Sequence, residues 1–175
     1  GHTPEYVELI LRNSRRIVRM ANGIIIAQTR HGFVMANAGI DSSNSGGEGK
    51  MVTLPEDPDS SADVLKTKFK ELTGKEMAVI ISDTFGRPWR VGHVNMAIGI
   101  AGIEPFIDYR GEKDNDGREM KATRIAVADE LCSAAELVSG KTKRYPVVVV
   151  RHFVFNSSNE SAKQLVRDEE HDIFK

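Results

Sequence analysis

The fold is decided by residues 78–92, AVIISDTFGRPWRVG, which open as an apolar run and close as a charged turn. Successive apolar residues, most of them β-branched, favour a strand buried in the interior. The run ends at Asp83, and Arg87 and Arg90 follow on either side of a Pro-Trp pair. The order predicts a strand that carries a carboxylate at its end, followed by a proline-stiffened turn that presents two guanidinium groups.

The composition sets limits on domain number and partners. The chain has 175 residues, of which 40% are hydrophobic, so we expect one domain over residues 1–175. Its 24 basic and 25 acidic residues leave a net charge of −1, which argues against nucleic acid or an anionic membrane as partner. The sequence shows neither an apolar run of membrane-spanning length nor a signal peptide. The balanced charge makes a small molecule the expected partner. Because Cys132 is the single cysteine, no disulfide can form within the chain, and we expect a cytoplasmic protein.

Periodicity and turn signals around this stretch predict an α/β fold of the α+β type. The predicted elements, in chain order, are a helix from Pro4 to about Met20, strands at 23–30 and 32–40, a helix over 64–72 stopped by Gly74, the strand at 77–84, two strands within 91–111, a helix over 121–139 closed by Gly140, and a last central strand at 145–155.

Two aspartates stand where predicted strands give way to polar loops. Asp41 follows the strand at 32–40, and Asp83 follows the apolar run at 78–82. If the two strands are neighbours, both carboxylates project at one rim of the sheet. Two hard oxygen ligands, with the hydroxyl of Thr84 beside one of them, suit magnesium or manganese that holds a nucleotide phosphate. Either aspartate by itself is read as a turn cap, and for the pair a metal site and two turn caps stand as equal alternatives.

Other charged and glycine-rich stretches carry weaker signals. The guanidinium groups of Arg87 and Arg90 match carboxylate and phosphate oxygens, but solvent-facing arginines on a turn held by a buried tryptophan are the alternative. Arg110 lies in the cluster DYRGEKDNDGR, residues 108–118, which an ion-pair network would also explain. Two stretches, NSGGEGKM and AELVSGKT, imitate a phosphate-binding P-loop, yet neither is a Walker motif because the first glycine of that pattern is missing from both.

Four long strings resemble one known family. They are HGFVMANAGIDSSN at 31–44, ISDTFGRPWRVG at 81–92, AIGIAGIEPFIDYRGEKDNDGRE at 97–119 and AVADELCSAAELVSGKTKRYPVVVVR at 126–151. They strongly resemble the coenzyme F-420-0: L-glutamate ligases, the γ-glutamyl ligases of deazaflavin cofactor synthesis. The resemblance runs almost from end to end and includes the tail LVRDEEHDIF at 165–174.

The resemblance implies an activity and an architecture. Family members use GTP to join the lactyl carboxylate of F-420-0 to the amino group of L-glutamate, through an acyl phosphate, and then add glutamate through a γ-linkage. They form intertwined homodimers with a mixed, largely antiparallel sheet and a few helices. They also carry a leading segment with further nucleotide-binding loops, so we expect this chain to correspond to the C-terminal part of such a ligase.

The resemblance also implies roles for particular residues. At Lys141 some members are expected to carry a metal-binding glutamine. Because a protonated lysine cannot ligate, a second metal is left open and a direct contact of Lys141 with phosphate is the alternative. The implied roles are metal binding by Asp41 and Asp83, a second-metal ligand at Thr84, nucleotide contacts at Asn44 and along the turn from Ser139 to Pro146, with Ser139, Gly140, Lys141 and Thr142 as its named residues, and recognition of the acidic substrates by Arg87, Arg90 and Arg110.

Three functions therefore compete at this point. The first is a GTP-dependent ligase, or the catalytic-metal portion of one, with F-420-0 and L-glutamate as substrates. A metal-dependent phosphohydrolase would use the same acids but would have no site for an amine acceptor. A dimerisation or ligand-binding module without catalysis would leave the acids idle.

Overall fold

The computed structural model describes residues 2–43, 45–47 and 49–173, and every strand pair in them is antiparallel. The elements are α1 (Pro4–Arg12), β1 (Ser14–Ala21), β2 (Ile24–Thr29), β3 (Val34–Ala36), α2 (Pro58–Thr73), β4 (Val79–Arg87), β5 (Arg90–Ala101), β6 (Ile107–Asp108), β7 (Arg124–Ile125) and α3 (Val127–Ser139). Short 3-10 turns lie at Asn37–Gly39, Ala162–Leu165 and Glu169–His171. The predicted mixed α/β architecture with antiparallel strands is confirmed.

The N-terminal region corrects the prediction of one helix as far as Met20. Helix α1 ends at Arg12, and β1 runs antiparallel to β2, with Met20 opposite Ile25. The connecting residues Asn22 and Gly23 have φ angles of 51° and 75°, the left-handed pair that a tight two-residue hairpin requires. An Asn-Gly pair is a strong hairpin signal, and the helical spacing of apolar residues upstream concealed it.

Strands β4 and β5 form a long hairpin at the centre of the molecule. Val79 lies opposite Ala101 at one end of the ladder, and Arg87 lies opposite Arg90 at the other. The prediction that the strand ends at Asp83 is therefore wrong, because the chain from Asp83 to Arg87 continues to pair with β5. Asp83 instead occupies the middle of a strand, where the ladder fixes its backbone.

Helix α2 packs with its first turn against β5. The carboxylate of Asp57 accepts a hydrogen bond from the Ser60 amide at 3.0 Å and so caps the helix, and Pro58 is the first helical residue. A Cβ added at Gly99 would stand 2.3 Å from the carbonyl oxygen of Pro58. Residue 99 of β5 must therefore be glycine for the helix to approach this closely.

Helix α3 is hydrogen-bonded to β5 next to a β-bulge. The register changes from Ile81 opposite Gly99 to Ser82 opposite Ala97, which leaves one extra residue on β5. The Ala97 amide donates to the carboxylate of Asp129, in the first turn of α3, at 2.8 Å. The helix thus satisfies a backbone group close to the bulge and is held in one position against the hairpin.

The buried side chains form three clusters. One cluster links β5, α3 and the 3-10 turn at Ala162–Leu165. A second lies between α1 and the first sheet, which consists of β1, β2 and β3, and a third joins β3 to the central hairpin. Their buried members are Ala97, Ile100, Ile103, Ala128, Cys132 and Ala162, then Ile10, Ile25, Ala27, Ala38 and Ile40, and finally Phe33, Met35, Phe85 and Ile98. The third cluster, in which Phe33 meets Phe85 edge to face at 5.9 Å, holds the first sheet against the hairpin.

The last predicted strand is not a strand. Residues 145–155, which we name the apolar segment, follow the last turn after α3 and belong to no strand of the described chain. Val149 and Val154 are 67% and 91% exposed. The prediction of a buried central strand is therefore wrong, because this segment has no adjacent strand to pair with in the described residues. None of the described helices has the length and apolar character needed to span a bilayer.

Candidate metal and phosphate site

Asp83 is a half-buried carboxylate in the middle of β4. Burial raises the pKa of this carboxyl group, and the negative charge of Asp41 raises it further. A hydrogen bond from the Thr84 backbone and the positive charge of Lys141 act in the opposite direction. Asp83 therefore lies in an environment that disfavours its negative charge, and a bound cation would relieve this penalty.

Asp41 lies beyond β3 rather than at the end of that strand. Strand β3 ends at Ala36 and a 3-10 turn follows, so the strand predicted to deliver Asp41 is too long by several residues. Asp41 instead forms an isolated bridge with Val52, and its carboxylate accepts from the amide and the hydroxyl of Ser43 at 2.7 and 2.6 Å. The carboxylate thus caps its own turn and at the same time acts electrostatically on Asp83.

Thr84 connects the central hairpin to the turn that follows α3. Its hydroxyl donates to Asn95 Oδ1, on the opposite strand, at 2.8 Å, and accepts a hydrogen bond from Lys141 Nζ. Lys141 Nζ also lies 3.8 Å from Glu136 Oε2, in the last turns of α3. Residues separated by 57 positions in the sequence are therefore in direct contact.

The turn after α3, residues 139–142, is positioned by the end of the helix. Gly140 has a φ of 56° and donates its amide to the carbonyl of Glu136 at 2.9 Å, which ends the helix. Ser139 is the last helical residue, and Lys141 and Thr142 follow on the turn. The predicted nucleotide-binding turn is thus brought next to Thr84 through Lys141. The predicted nucleotide contact Asn44 lies outside the described residues.

Arg87 and Arg90 lie at the hairpin tip, residues 87–92. Arg87 donates from Nη2 to the Val91 carbonyl at 2.8 Å, and Arg90 is exposed beside it. Trp89 is 79% exposed, so the alternative of a turn held by a buried tryptophan is wrong. Arg87 is four positions beyond Asp83, which corresponds to about 13 Å along the backbone of β4. The substrate role of the two arginines stays a prediction.

Arg110 belongs to the second charged cluster. Its guanidinium donates to Asp108 from Nε at 2.9 Å and from Nη2 at 2.5 Å, and Arg124 Nε lies 3.6 Å from the same carboxylate. The hydrogen bonds from Arg110 lower the pKa of Asp108 to about 2. An ion-pair network is therefore present at this position, and a substrate role for Arg110 stays a prediction.

Sequence reasoning missed two residues of the site. Asn95 orients the Thr84 hydroxyl, and Glu136 lies beside Lys141. The signal for Asn95 is a polar side chain at the start of the otherwise apolar stretch NMAIGIAG, residues 95–102. Within the part of the chain that the structure describes, no group of three or more His, Cys, Asp or Glu residues is placed to hold a metal. A metal at Asp41 and Asp83 would therefore need hydroxyl, water or phosphate oxygens to complete its coordination.

Comparisons with known proteins place the chain in a family. A family model described as F420-0:Gamma-glutamyl ligase matches residues 1–152. The Coenzyme F420:L-glutamate ligase of Methanothermobacter thermautotrophicus is 47% identical over 178 residues, which cover 100% of this chain and 70% of the relative. Proteins of the same name from Methanocaldococcus jannaschii and Methanopyrus kandleri are each 43% identical, over 100% of this chain and 70% and 71% of their own lengths. The chain thus belongs to the F420-0:γ-glutamyl ligase family, as the resemblance of its sequence predicted.

Proposed function

We propose that this chain is a ligase that adds L-glutamate to coenzyme F-420-0, with GTP as co-substrate and magnesium or manganese as cofactor. Membership of a ligase family and the names of the relatives support the reaction type and the two substrates. The observation that carries the proposal is the contact of Lys141 with Thr84 beside Asp83. It joins the turn predicted to bind nucleotide to the residues predicted to bind metal.

The donor set fits a hard divalent cation. The carboxylates of Asp41 and Asp83 and the hydroxyl of Thr84 are the oxygen donors that magnesium and manganese prefer. Asp83 is half-buried and has a raised pKa, partly because Asp41 is negatively charged. We propose that the two aspartates hold the ion, with water and phosphate oxygens as further ligands. Once bound, the ion would neutralise charge on the transferring phosphoryl group.

A carboxylate is unreactive toward an amine, so the proposed reaction first activates it. Transfer of the γ-phosphoryl group breaks the bond from its phosphorus to the bridging oxygen of GDP and forms an acyl phosphate on F-420-0. The free amine of glutamate attacks the acyl carbon, and inorganic phosphate leaves as the amide forms. The contribution of the protein to such steps is positioning and charge stabilisation.

The residues of this chain divide that work in the proposal. Lys141 supplies a positive charge toward the nucleotide phosphates, and the rest of the turn at 139–142 supports it. Arg90 at the hairpin tip takes a carboxylate of an acidic substrate, because its guanidinium is exposed and matches two carboxylate oxygens. Arg87 shares this role in part, since its Nη2 and Nε already donate to the carbonyls of Val91 and Gly92.

We also propose that the chain forms a homodimer. The apolar segment supports this proposal, because its side chains are exposed and no backbone–backbone hydrogen bond among the described residues involves 146–155. Backbone groups without a partner strand, together with exposed apolar side chains, favour association with another chain. Light scattering should report about twice the chain mass of 19.3 kDa, and a monomer at micromolar concentration would contradict the proposal.

One assay separates the three competing functions. The chain is incubated with GTP, F-420-0, L-glutamate and manganese, and the products are followed by mass spectrometry and phosphate release. The proposal predicts one GDP and one phosphate formed for each glutamate attached. GTP hydrolysis that is equally fast without glutamate, with no amide product, would identify a phosphohydrolase. If nucleotide is neither bound nor consumed, the chain is a module without catalysis.

A further inference from the structure

We infer that the ammonium group of Lys141 serves as a resident second cation of this site, so that the chain binds one divalent metal ion and Lys141 takes the place of a second. The inference rests on the proposed function, because it concerns the metal and phosphate of the same site. It goes further by assigning the place of a second metal to a side chain of the protein.

The first argument is the bonding capacity of the Thr84 hydroxyl. A hydroxyl has one proton to donate and two lone pairs to offer. The proton is donated to Asn95 Oδ1, and one lone pair accepts from Lys141 Nζ. A metal ion that approached Thr84 from the direction of Lys141 would have to displace the ammonium group before it could bind this oxygen.

The second argument is the charge around the ammonium group. Lys141 Nζ lies 3.8 Å from the carboxylate of Glu136, and its positive charge acts on Asp83. The ammonium therefore already compensates part of the negative charge that a second metal would compensate. A divalent ion placed beside it would also be repelled by a like charge at short range. The Asp41 carboxylate, which is held by Ser43, remains for the first metal.

The third argument is the freedom of the Lys141 side chain. It projects from the turn after Gly140 and is 59% exposed, so it is not packed into the core. A lysine ammonium is a compact charge on a flexible stem with three donors. It can therefore keep its contact with Thr84 and still offer donors to a phosphate oxygen. The second positive charge of the site then stays with the protein when metal and nucleotide exchange.

The test is the number of manganese ions bound by each chain. Free manganese is measured by electron paramagnetic resonance during titration of the whole chain, with manganese as the only added ligand. We expect one ion per chain for the unchanged protein and for Lys141→Arg, which keeps the positive charge. We expect two ions for Lys141→Gln and also for Lys141→Ala, because both remove the charge and free the Thr84 lone pair.

A matched control lies two residues further along the same turn. Lys143 donates from Nζ to the carbonyl of Val138 at 3.0 Å and has no contact with Thr84 among the described residues. Lys143→Gln should therefore leave one ion per chain. A near-identical circular dichroism spectrum establishes that each variant is folded.

The outcomes separate the inference from the proposed function. Two ions on the unchanged protein would overturn the inference and leave the metal-dependent ligase intact. One ion on both Lys141→Gln and Lys141→Ala, or two on Lys141→Gln only, would also overturn it. Absence of manganese binding to the unchanged protein would instead contradict the metal role in the proposed function, and the inference would fall with it.

Discussion

Two stretches of similar composition have opposite environments in this molecule. Residues 79–81, VII, pair with β5 and pack against the core, with Ile80 opposite Ile100. Residues 147–149, VVV, have an equally strong preference for strand, but they belong to no strand in the described chain, and Val147 is 61% exposed. The first stretch pairs with residues 99–101 of the next strand along the chain, whereas the second has no partner strand among the described residues. Composition predicts the preference for a strand, whereas the presence of a partner decides whether the strand forms.

The difference also separates two kinds of function. The β4–β5 hairpin and α3 are held by backbone hydrogen bonds and by the carboxylates of Asp59 and Asp129, which accept from the amides of Ile100 and Ala97. We name β4, β5 and α3 together the rigid region. It carries Asp83 and Thr84, and the turn after α3 adds Lys141. The apolar segment carries none of the candidate metal ligands and instead presents the surface that we propose is covered in the dimer.

The largest expected difference between the two regions is in their response to a buried or exposed lysine. Ile100 is 2% exposed within the core, so Ile100→Lys buries an unpaired charge and should lower the free energy of unfolding by about 4 kcal/mol. Val149→Lys should leave the far-ultraviolet circular dichroism unchanged and convert the proposed dimer to a monomer. Urea unfolding and light scattering test the pair. If Val149→Lys unfolds the chain as Ile100→Lys does, the two regions are not different in the way described.

The contact of α2 with β5 sharpens the account of the rigid region. Gly99→Ala should destabilise the chain by about 3 kcal/mol, because its Cβ would meet the backbone of Pro58, which cannot rotate away as a side chain would. Gly86, on the same hairpin, has no atom within 4 Å of an added Cβ, so Gly86→Ala is the matched control and should change stability little. Equal midpoints for the two variants in urea would contradict this packing.

The hairpin tip is the exposed end of the rigid region and should affect substrate recognition without affecting the metal. Lysine keeps the charge of arginine but loses its planar fork, so Arg90→Lys should raise the free energy of substrate binding by about 1–3 kcal/mol. Steady-state kinetics with F-420-0 and glutamate measure this change, and manganese titration serves as the control. Unchanged catalytic efficiency would show that Arg90 supports the turn only.

The buried thiol of Cys132, in α3, should make the free energy of unfolding of the chain depend on pH in the alkaline range. Burial, and then the charge of Asp129, raise the pKa of Cys132 from about 9 to about 12. As the pH rises, the thiol of the unfolded chain therefore ionises before that of the folded chain. The contribution of the thiol to the free energy of unfolding is complete below pH 9 and is lost as the pH rises toward 12. At pH 10 the free energy of unfolding should be lower than at pH 8 by about 1 kcal/mol. Cys132→Ala should lack this part of the alkaline decline in urea unfolding, and an equal decline in both proteins would refute the assignment.

Local signals predicted much of this fold because several elements are determined within a few residues. Gly74 and Gly140 end α2 and α3 where their positive φ angles are needed. The turn at Asn22 and Gly23 carries an equally local signal, which the apolar spacing before it outweighed in the prediction. The environment of the apolar segment could not be predicted, since a preference for strand does not say whether a partner strand is present.

The candidate site was predictable in its chemistry but not in its geometry. Apolar runs followed by Asp41 and Asp83 pointed to paired carboxylates, and the structure brings them within range of each other's charge. The position of Asn95 opposite Thr84 depends on the register of β4 and β5, which the bulge near Ser82 shifts by one residue. The contact of Lys141 with Thr84 depends on how α3 packs, so neither follows from spacing in the sequence.

The most direct test of the central claim is calorimetry of GTP binding with and without manganese. The account predicts that Asp41→Ala and Asp83→Ala each abolish the manganese-dependent part of binding, because the two carboxylates hold the same ion. Asp114→Ala should retain it, since the Asp114 carboxylate accepts from the amides of Asp116 and Arg118 in a separate turn. Unchanged metal-dependent binding in both Asp41→Ala and Asp83→Ala would contradict the claim that these aspartates and the turn after α3 form one metal and phosphate site.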